Sequence, residues 1–239
     1  MTERIDVSVC IPVFNEVENL EELVHRIERT MASLGRSWEL ILVDDGSSDG
    51  SFDKIRSLQA GRPWLRGLRF DRNHGQTAAM AAGIRAARGE AIVTLDADLQ
   101  NDPADIPRLL EGLRDHEAVV GWRRQRQDSF VRRVSSRIAN WVRNVVSDET
   151  IRDTGCSLKA FRAAAVRALP FFEGMHRFLP TLVKMHGGTV LEVEVSHHPR
   201  TRGLSKYNVW NRVFRSFLDL LAIRWMKWRQ LRYRIVDEI

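Results

Sequence analysis

EAIVTLDADLQNDP, residues 90–103, runs from a strand-like apolar segment straight into a cluster of oxygen-bearing side chains. The segment 90–98 has the near-continuous apolar character of a strand covered on both faces. A plain turn after such a strand is satisfied by one Asp or Asn. Here Asp96, Asp98 and Gln100 stand at alternate positions around Ala97 and Leu99. In an extended segment those three side chains would share one face. Hard oxygen ligands of this kind suit Mg2+ or Mn2+, which bind through one or two carboxylates plus substrate phosphates. The competing reading is an acidic loop capping the helix that begins near Pro103, and that would need only Asp102 or Asn101.

The same punctuation recurs along the first half of the chain. VSVCIPVF (7–14) is an apolar run of strand length, followed by a helical pattern over 15–35 with Leu20, Leu23, Val24, Ile27, Met31 and Leu34 on one stripe. WELILVDDGSSDG (38–50) is a second strand ending in a turn cluster. A short helix through Ile55 and Leu58, a strand near Leu65–Phe70 and an Ala-rich helix over 75–89 come next. After the strand at 90–98, residues 103–115 read as helix and 117–122 as a fifth strand. Apolar strands alternating with helices predict an α/β fold with a mostly parallel sheet flanked by helices. In such sheets ligands bind beyond the carboxyl ends of the strands. The polar motifs after residues 14, 43, 95 and 120 should therefore gather along one rim.

Bulk properties narrow the class. The chain has 239 residues and 44% hydrophobic content, enough for a sizeable core. Its formal net charge of +6, from 37 Lys and Arg against 31 Asp and Glu, suggests an anionic partner or simple solubility. Cys10 and Cys156 form no disulfide framework or CxxC motif, which points to a reducing compartment. The N-terminus lacks the pattern of a signal peptide, and no window approaches the roughly 18 apolar residues of a spanning helix. A cytoplasmic protein is expected, with docking onto a membrane left open.

Other motifs carry charge. DDGSSDG (44–50) offers Asp44 and Asp45 at a strand end, where one turn needs a single carboxylate; a base or ribose is the alternative partner. HPRTRGLSKY (198–207) sets Arg200, Arg202 and Lys206 around Gly203, as an anion-wrapping loop or a solvated turn. His197 and His198 read as surface residues. TVLEVEVSHHP (189–199) alternates as a half-exposed strand. From Arg123 to Arg143 a helix would put Arg132 and Ser136 on one face, as a phosphate clamp or an exposed charged face. The tail after Asn208 mixes Phe214, Phe217, Leu221, Trp225 and Trp228 with Lys and Arg, suiting a helix in a headgroup region or one packed on the sheet.

Together IPVFNE, VDDGSSDG, LDADLQNDP, DTGCSLKAFR and HHPRTRGLSKY resemble the family 2 glycosyltransferases of GT-A fold, over about residues 7–208. Within them they resemble the branch of dolichyl-phosphate mannose synthases and undecaprenyl-phosphate sugar transferases. HGQTAAMAAG (74–83) looks more like the bacterial members. The resemblance implies a Rossmann-like GT-A domain over 1–208 and a C-terminal amphipathic helical tail over 209–239. It implies nucleotide contacts at Pro12, Phe14, Glu16, Val43 and Asp45. Asp96 and Asp98, with Ala97 between them, match the metal- and diphosphate-binding pair, and Gln100 matches a third metal contact. By the same resemblance Arg123 matches an arginine that faces the phosphates, Arg132 and Ser136 match the helix that receives the acceptor phosphate, and Arg200 and Lys206 match the basic loop that closes over the diphosphate. Asp153 is a candidate on the acceptor side, with a helix N-cap as its alternative.

Two departures stand out. Many relatives continue into transmembrane hairpins, whereas this sequence ends at Ile239. Processive members carry QxxRW, and here Leu221 stands where the Gln would precede Arg224–Trp225, which argues against a polymer synthase. The expected activity is inverting, metal-dependent transfer of a sugar from a UDP- or GDP-sugar to a polyprenyl phosphate. The site of action would be the inner face of the cytoplasmic membrane, with a small membrane-protein partner or a homo-oligomer left open. An ionised phosphate acceptor needs no strong general base. The alternatives are a transferase acting on a glycan or protein hydroxyl, which needs an Asp or Glu base, and a non-enzymatic nucleic-acid-binding module. Acidic Asp44, Asp45, Asp96 and Asp98 on the rim argue against nucleic acid.

Overall fold

A computed structural model describes residues 4–123, 151–199, 209–230 and 237. The strands are β1 (Val7–Val13), β2 (Trp38–Asp44), β3 (Leu65–Arg69), β4 (Ala91–Thr94), β5 (Ala118–Trp122), β6 (Lys159–Arg162) and β7 (Val190–Glu194). They form one seven-stranded sheet in the order β3-β2-β1-β4-β6-β5-β7. Every neighbouring pair is parallel except the two that involve β6. The expected mostly parallel α/β architecture is present. The one antiparallel strand, inserted between β4 and β5, is not foreseen from the residue pattern.

The helices are α1 (Val17–Ala32), α2 (Ser51–Gln59), α3 (Gln76–Ala86), α4 (Ile106–Gly112), α5 (Ala163–Arg167), α6 (Leu179–Met185) and α7 (Val209–Arg229). They divide between the two faces of the sheet. On one side Leu20, Leu23, Val24 and Ile27 of α1, Ile55 of α2 and Leu109 of α4 meet Val9, Ile11, Leu40 and Leu42. On the other, Ala79, Met80 and Ile84 of α3, Leu182 of α6, and Leu220 and Ile223 of α7 meet Cys10, Ile41, Val43 and Phe161. Each fully buried aliphatic side chain contributes about 1.5–3 kcal/mol, so two such layers suffice to hold the sheet. Alternate residues of β1 and β2 go to opposite layers, which is why their sequences show apolar runs rather than alternation.

Cys10 has the small-hydrophobe role expected of it. It is buried, burial pushes its thiol well above the usual range, and a Cβ on Gly83 would lie 3.2 Å from its own Cβ. The C-terminal helix is also double-sided: Leu220 and Ile223 are buried, whereas Leu218, Leu221, Trp225 and Trp228 are exposed. No helix among the described residues is long and apolar enough to cross a membrane.

Candidate active site

The rim at the carboxyl ends of β1, β2 and β4 is built from loops that hold one another. Asn15 after β1 adopts a left-handed conformation (φ 52°). Its amide donates to Ser47 Oγ at 2.8 Å, and its Oδ1 accepts from the Ser48 amide at 2.8 Å. The Glu16 amide donates to Ser51 Oγ at 3.0 Å and the Val17 amide to Asp49 Oδ2 at 3.1 Å. Ser47, Ser48 and Asp49 of DDGSSDG, with Ser51 just after it, thus lock the β1–α1 loop, the turn-forming reading of that motif. Burial would raise Asp49, but bonds from Ser51 and Val17 outweigh it and hold the carboxyl below its usual range.

Asp45 has a different role. Its Oδ1 accepts from the His74 amide at 2.7 Å, and its Oδ2 from the Gly75 amide and Asn73 Nδ2, both at 2.9 Å. It therefore sets the turn that starts α3. Burial is the largest influence and pushes its carboxyl upward despite those amides. Of the other nucleotide-contact candidates, Pro12 and Val43 are register partners across β1 and β2. The Val43 side chain lies in the core, so only its main chain borders the rim. Phe14 and Glu16 are half-buried on the same edge, with Glu16 Oε2 accepting from Asn19 Nδ2 at 2.6 Å. Asp44 is fully buried and points elsewhere, with Arg69 Nε 3.7 Å away.

The acidic loop departs from its expected shape. Strand β4 stops at Thr94, and residues 97–99 turn, with Leu99 at φ 60°. Asp96, Asp98 and Gln100 are therefore not on one face of an extended segment but are set around a turn. Asp96 Oδ1 accepts from Gln76 Nε2 of α3 at 2.8 Å. Asp98 Oδ1 accepts from the Gln100 amide at 3.2 Å. Capping falls to Asp102, whose Oδ1 accepts from the Ala104 amide at 3.0 Å. Capping thus accounts for Asp102, and Asp98 closes a local turn through the Gln100 amide, whereas Asp96 has neither role.

Neighbouring segments fix this loop from two sides. The Asp96 amide donates to Ser157 Oγ at 3.2 Å, and Asn101 Nδ2 donates to the same hydroxyl at 2.7 Å. After β7, the His198 amide donates to Gln100 O at 2.9 Å, its Nε2 lies 3.0 Å from Asp102 Oδ2, and Asn101 bridges His197. His198 is exposed and His197 half-buried, as surface residues are, and the two also tie the segment after β7 onto the acidic loop. Asp153 is not a helix cap. Its carboxylate takes a two-pronged ion pair from Arg123, with Nε–Oδ2 at 2.7 Å and Nη2–Oδ1 at 3.1 Å. Arg123 and Asp153 thus act together at the end of β5. Arg132, Ser136, Arg200 and Lys206 lie outside the described residues.

Burial first, and the Asp98 charge second, push the Asp96 carboxyl up to about 6, against the pull of Ser157, Lys159 and Arg123. A second carboxylate near a buried first one is the kind of pair whose repulsion a bound cation would relieve. The donor set fits Mg2+ or Mn2+: Asp96 and Asp98 supply charged oxygens and Gln100 a neutral one. No group of three or more His, Cys, Asp or Glu among the described residues forms a metal cluster. A cation here would thus rely on two carboxylates, a neutral oxygen and the phosphates of its substrate. Sequence reasoning missed Gln76, Ser157 and Lys159, and it offered Asn101 only as a possible cap. The only available signals were a Gln opening the helix after a polar loop and a Lys inside the apolar run SLKAF.

The architecture recurs in solved glycosyltransferases. Glucosyl-3-phosphoglycerate synthase of M. tuberculosis, in complex with Mn2+ and UDP-glucose, superposes with a TM-score of 0.71 at 21% identity, covering 91% of this chain and 79% of that one. A mannosyltransferase of Pyrobaculum calidifontis, in complex with GDP-Man and Mn2+, gives 0.60 at 19% identity, covering 95% and 70%. At these identities the likeness shows the fold, which is GT-A. Residues 8–170 match the model of "Glycosyl transferase family 2", and the chain belongs to that family. It is 42% identical to the dodecaprenyl-phosphate galacturonate synthase of Rhizobium johnstonii, covering 92% of this chain and 67% of that protein. To the undecaprenyl-phosphate 4-deoxy-4-formamido-L-arabinose transferase of Edwardsiella ictaluri it is 40% identical, covering 85% and 63%. The chain thus spans about two thirds of the length of the curated relatives it matches.

Proposed function

We propose that this protein transfers a sugar from a nucleoside diphosphate sugar to a polyprenyl phosphate, with inversion and with a divalent cation at Asp96, Asp98 and Gln100. The observation that carries the reading is the acidic turn, held by Gln76, Ser157 and His198 with its two carboxylates crowded together. The names of the relatives supply the acceptor class, and the Mn2+ and nucleotide-sugar complexes of the structural neighbours agree with the donor class. When bound, the cation would offset the charge that develops on the departing diphosphate. Pro12, Phe14, Glu16, Asp45 and the Val43 main chain border the place for the nucleoside, and Ala97 sits buried between the two aspartates. Arg123, oriented by Asp153, faces the phosphates. Arg132 and Ser136 would hold the acceptor phosphate, and Arg200 and Lys206 would cover the diphosphate. The nucleophile is an oxygen already ionised at neutral pH, so no poised base is needed.

A lipid-borne acceptor requires contact with a membrane. The stripe Leu218, Leu221, Trp225 and Trp228 is exposed on α7, beside Arg224 and Lys227. Apolar and aromatic side chains interleaved with cations suit the headgroup region of an anionic bilayer. Leu220 and Ile223 hold the same helix to the core, so removing it would damage the fold along with any docking face. Replacing Trp225 and Trp228 with Glu isolates the surface role, and release from anionic liposomes is the expected result.

The activity test is product analysis with UDP- and GDP-sugars and Mn2+, with and without polyprenyl phosphate. A lipid-linked sugar that Asp98→Ala no longer makes is the expected outcome. Transfer to a glycan or protein hydroxyl with no lipid product would overturn the acceptor, and full activity in Asp98→Ala would overturn the cation site.

A further inference from the structure

Thr77, in the first turn of α3, is buried, and its hydroxyl is used twice. Its Oγ1 accepts from the Gly174 amide at 3.0 Å and lies 2.7 Å from His176 Nδ1. Both partners come from the turn that precedes α6, where Gly174 adopts φ +87° at the head of the 3-10 turn Met175–Arg177. Helix α7 lies against this turn from another side, since a Cβ on Gly174 would run into the Asp219 carboxylate. Met175 and Phe178 share a buried layer with Met80 of α3 and Leu220 of α7. Further along α3, the Arg85 guanidinium stacks on Phe171, 4.9 Å from the ring centroid. The turn is thus confined between α3 and α7.

Gln76 stands between this junction and a second one. On its N-terminal side, Asp45 fixes the His74 and Gly75 amides to the end of β2. On its C-terminal side, Thr77 is fixed to Gly174 and His176. Its own Nε2 reaches Asp96 Oδ1 at 2.8 Å. A buried hydroxyl is a cost unless it is bonded, and a Val would fill the volume of Thr77 with no polar atom to satisfy. The Ala-rich run that follows forms a helix without help from that hydroxyl. What the hydroxyl adds is the place where α3 begins relative to the turn, and so the direction in which Gln76 leaves the backbone. Groups that orient a ligand without touching the metal govern its affinity through such placement.

We propose that Thr77 is a positioning residue for the acidic loop: by tying the first turn of α3 to Gly174 and His176, it places Gln76 on Asp96. The inference rests on the reading of Asp96, Asp98 and Gln100 as the metal cradle.

The test is Mn2+ binding with UDP or GDP present, read from the electron paramagnetic resonance of the free ion. It compares the wild type with Thr77→Val, Thr77→Ser, Gln76→Leu and the pair Thr77→Val with Gln76→Leu. Thr77→Val should bind Mn2+ about three- to tenfold more weakly, and Thr77→Ser, which keeps the hydroxyl, should stay near the wild type. In the Gln76→Leu background Thr77→Val should add nothing, because the group through which it acts is already gone. Without metal, hydrogen exchange of amides 74–78 should quicken in Thr77→Val and return to the wild-type rate in Thr77→Ser. Wild-type Mn2+ affinity in folded Thr77→Val overturns the proposal. So does a loss that persists undiminished in the Gln76→Leu background, since the hydroxyl would then only stabilise the fold. If Thr77→Val does not fold, His176→Ala carries the same comparison with α3 unaltered and the same two outcomes. A wild type that takes up no Mn2+ with either nucleotide overturns the metal reading as well, a distinct failure because it precedes any comparison of variants.

Discussion

The most quantitative expectation concerns Glu39, at the opposite end of the sheet from the cleft. Its side chain is 1% exposed. Its Oε1 accepts from Ser8 Oγ and the Arg88 amide, both at 2.7 Å. Its Oε2 accepts from Arg66 Nη1 and Arg88 Nη2, both at 2.8 Å. Burial would raise this carboxyl, but the bonds from Arg66, Arg88 and Ser8 outweigh it and hold the pKa at about 2, against 4.5 for the free group. That depression of roughly 2.5 units corresponds to about 3 kcal/mol of stability at neutral pH. Arg66 and Arg88 are 31% and 55% exposed, so solvent screening makes this an upper figure. The sign follows from the depressed value: the contribution is complete above pH 4.5 and fades as pH falls toward 2. By pH 3 roughly 2 kcal/mol of it is gone, because the unfolded chain is protonated and the folded one is not. Glu39→Gln should therefore cost about 2–3 kcal/mol in urea unfolding at pH 7 and about 1 kcal/mol at pH 3. A gap that stayed constant between those pH values would show that packing, not ionisation, makes Glu39 matter.

Two further expectations probe the rim. Gly46 has φ +69°, and a Cβ there would meet the Arg72 carbonyl carbon at 2.4 Å. Gly46→Ala should lose about 3 kcal/mol in denaturant unfolding, whereas Gly50→Ala, with φ +88° and nothing within 4 Å, should lose about 1 kcal/mol, its share of backbone strain alone. Equal losses would mean that the close approach of the two loops carries no energy. Gln76→Leu removes the donor on Asp96 Oδ1 and should lower Mn2+ affinity or sugar transfer about tenfold while leaving the melting temperature in place. An unchanged rate together with unchanged affinity would remove Gln76 from the site.

Much of the molecule was legible where physics acts locally. The runs at 7–14, 38–44 and 91–94 are apolar because the sheet is covered on both faces, and that pattern survives in sequence. The half-exposed strand at 190–194 likewise shows its alternation. Strand β6 does not, because KAFR is four residues long and begins and ends with a cation. Its burial comes from β4 and β5 on either side, a tertiary fact. The helices over 163–167 and 179–185 are too short for a period to emerge. At the site, Asp96, Asp98 and Asp45 could be named because their carboxylates, at the ends of apolar strands, exceed what a turn requires. Their arrangement could not, since it depends on a left-handed Leu99 and on Gln76 arriving from 20 residues away.

The acidic loop owes its shape to its surroundings more than to its own bonds. Left alone, two nearby carboxylates would repel and the turn would open. Ser157 sits where it can receive both the Asp96 amide and Asn101 only because β6 runs antiparallel between β4 and β5, returning the 153–158 segment beneath the cleft. His198 reaches Gln100 only because β7 pairs in parallel with β5 and ends on the same rim. Strand β6, the one least visible in the sequence, therefore joins β7 in preorganising the most visible motif. Preorganisation of this kind has a chemical use: oxygens already held together need not be gathered during the reaction, so charge appearing on a departing diphosphate would meet a finished site. It also locates the sensitive substitutions. Residues that bond no substrate, such as Ser157 and His198, should change the geometry of Asp96 and Asp98 as surely as changes to the aspartates themselves.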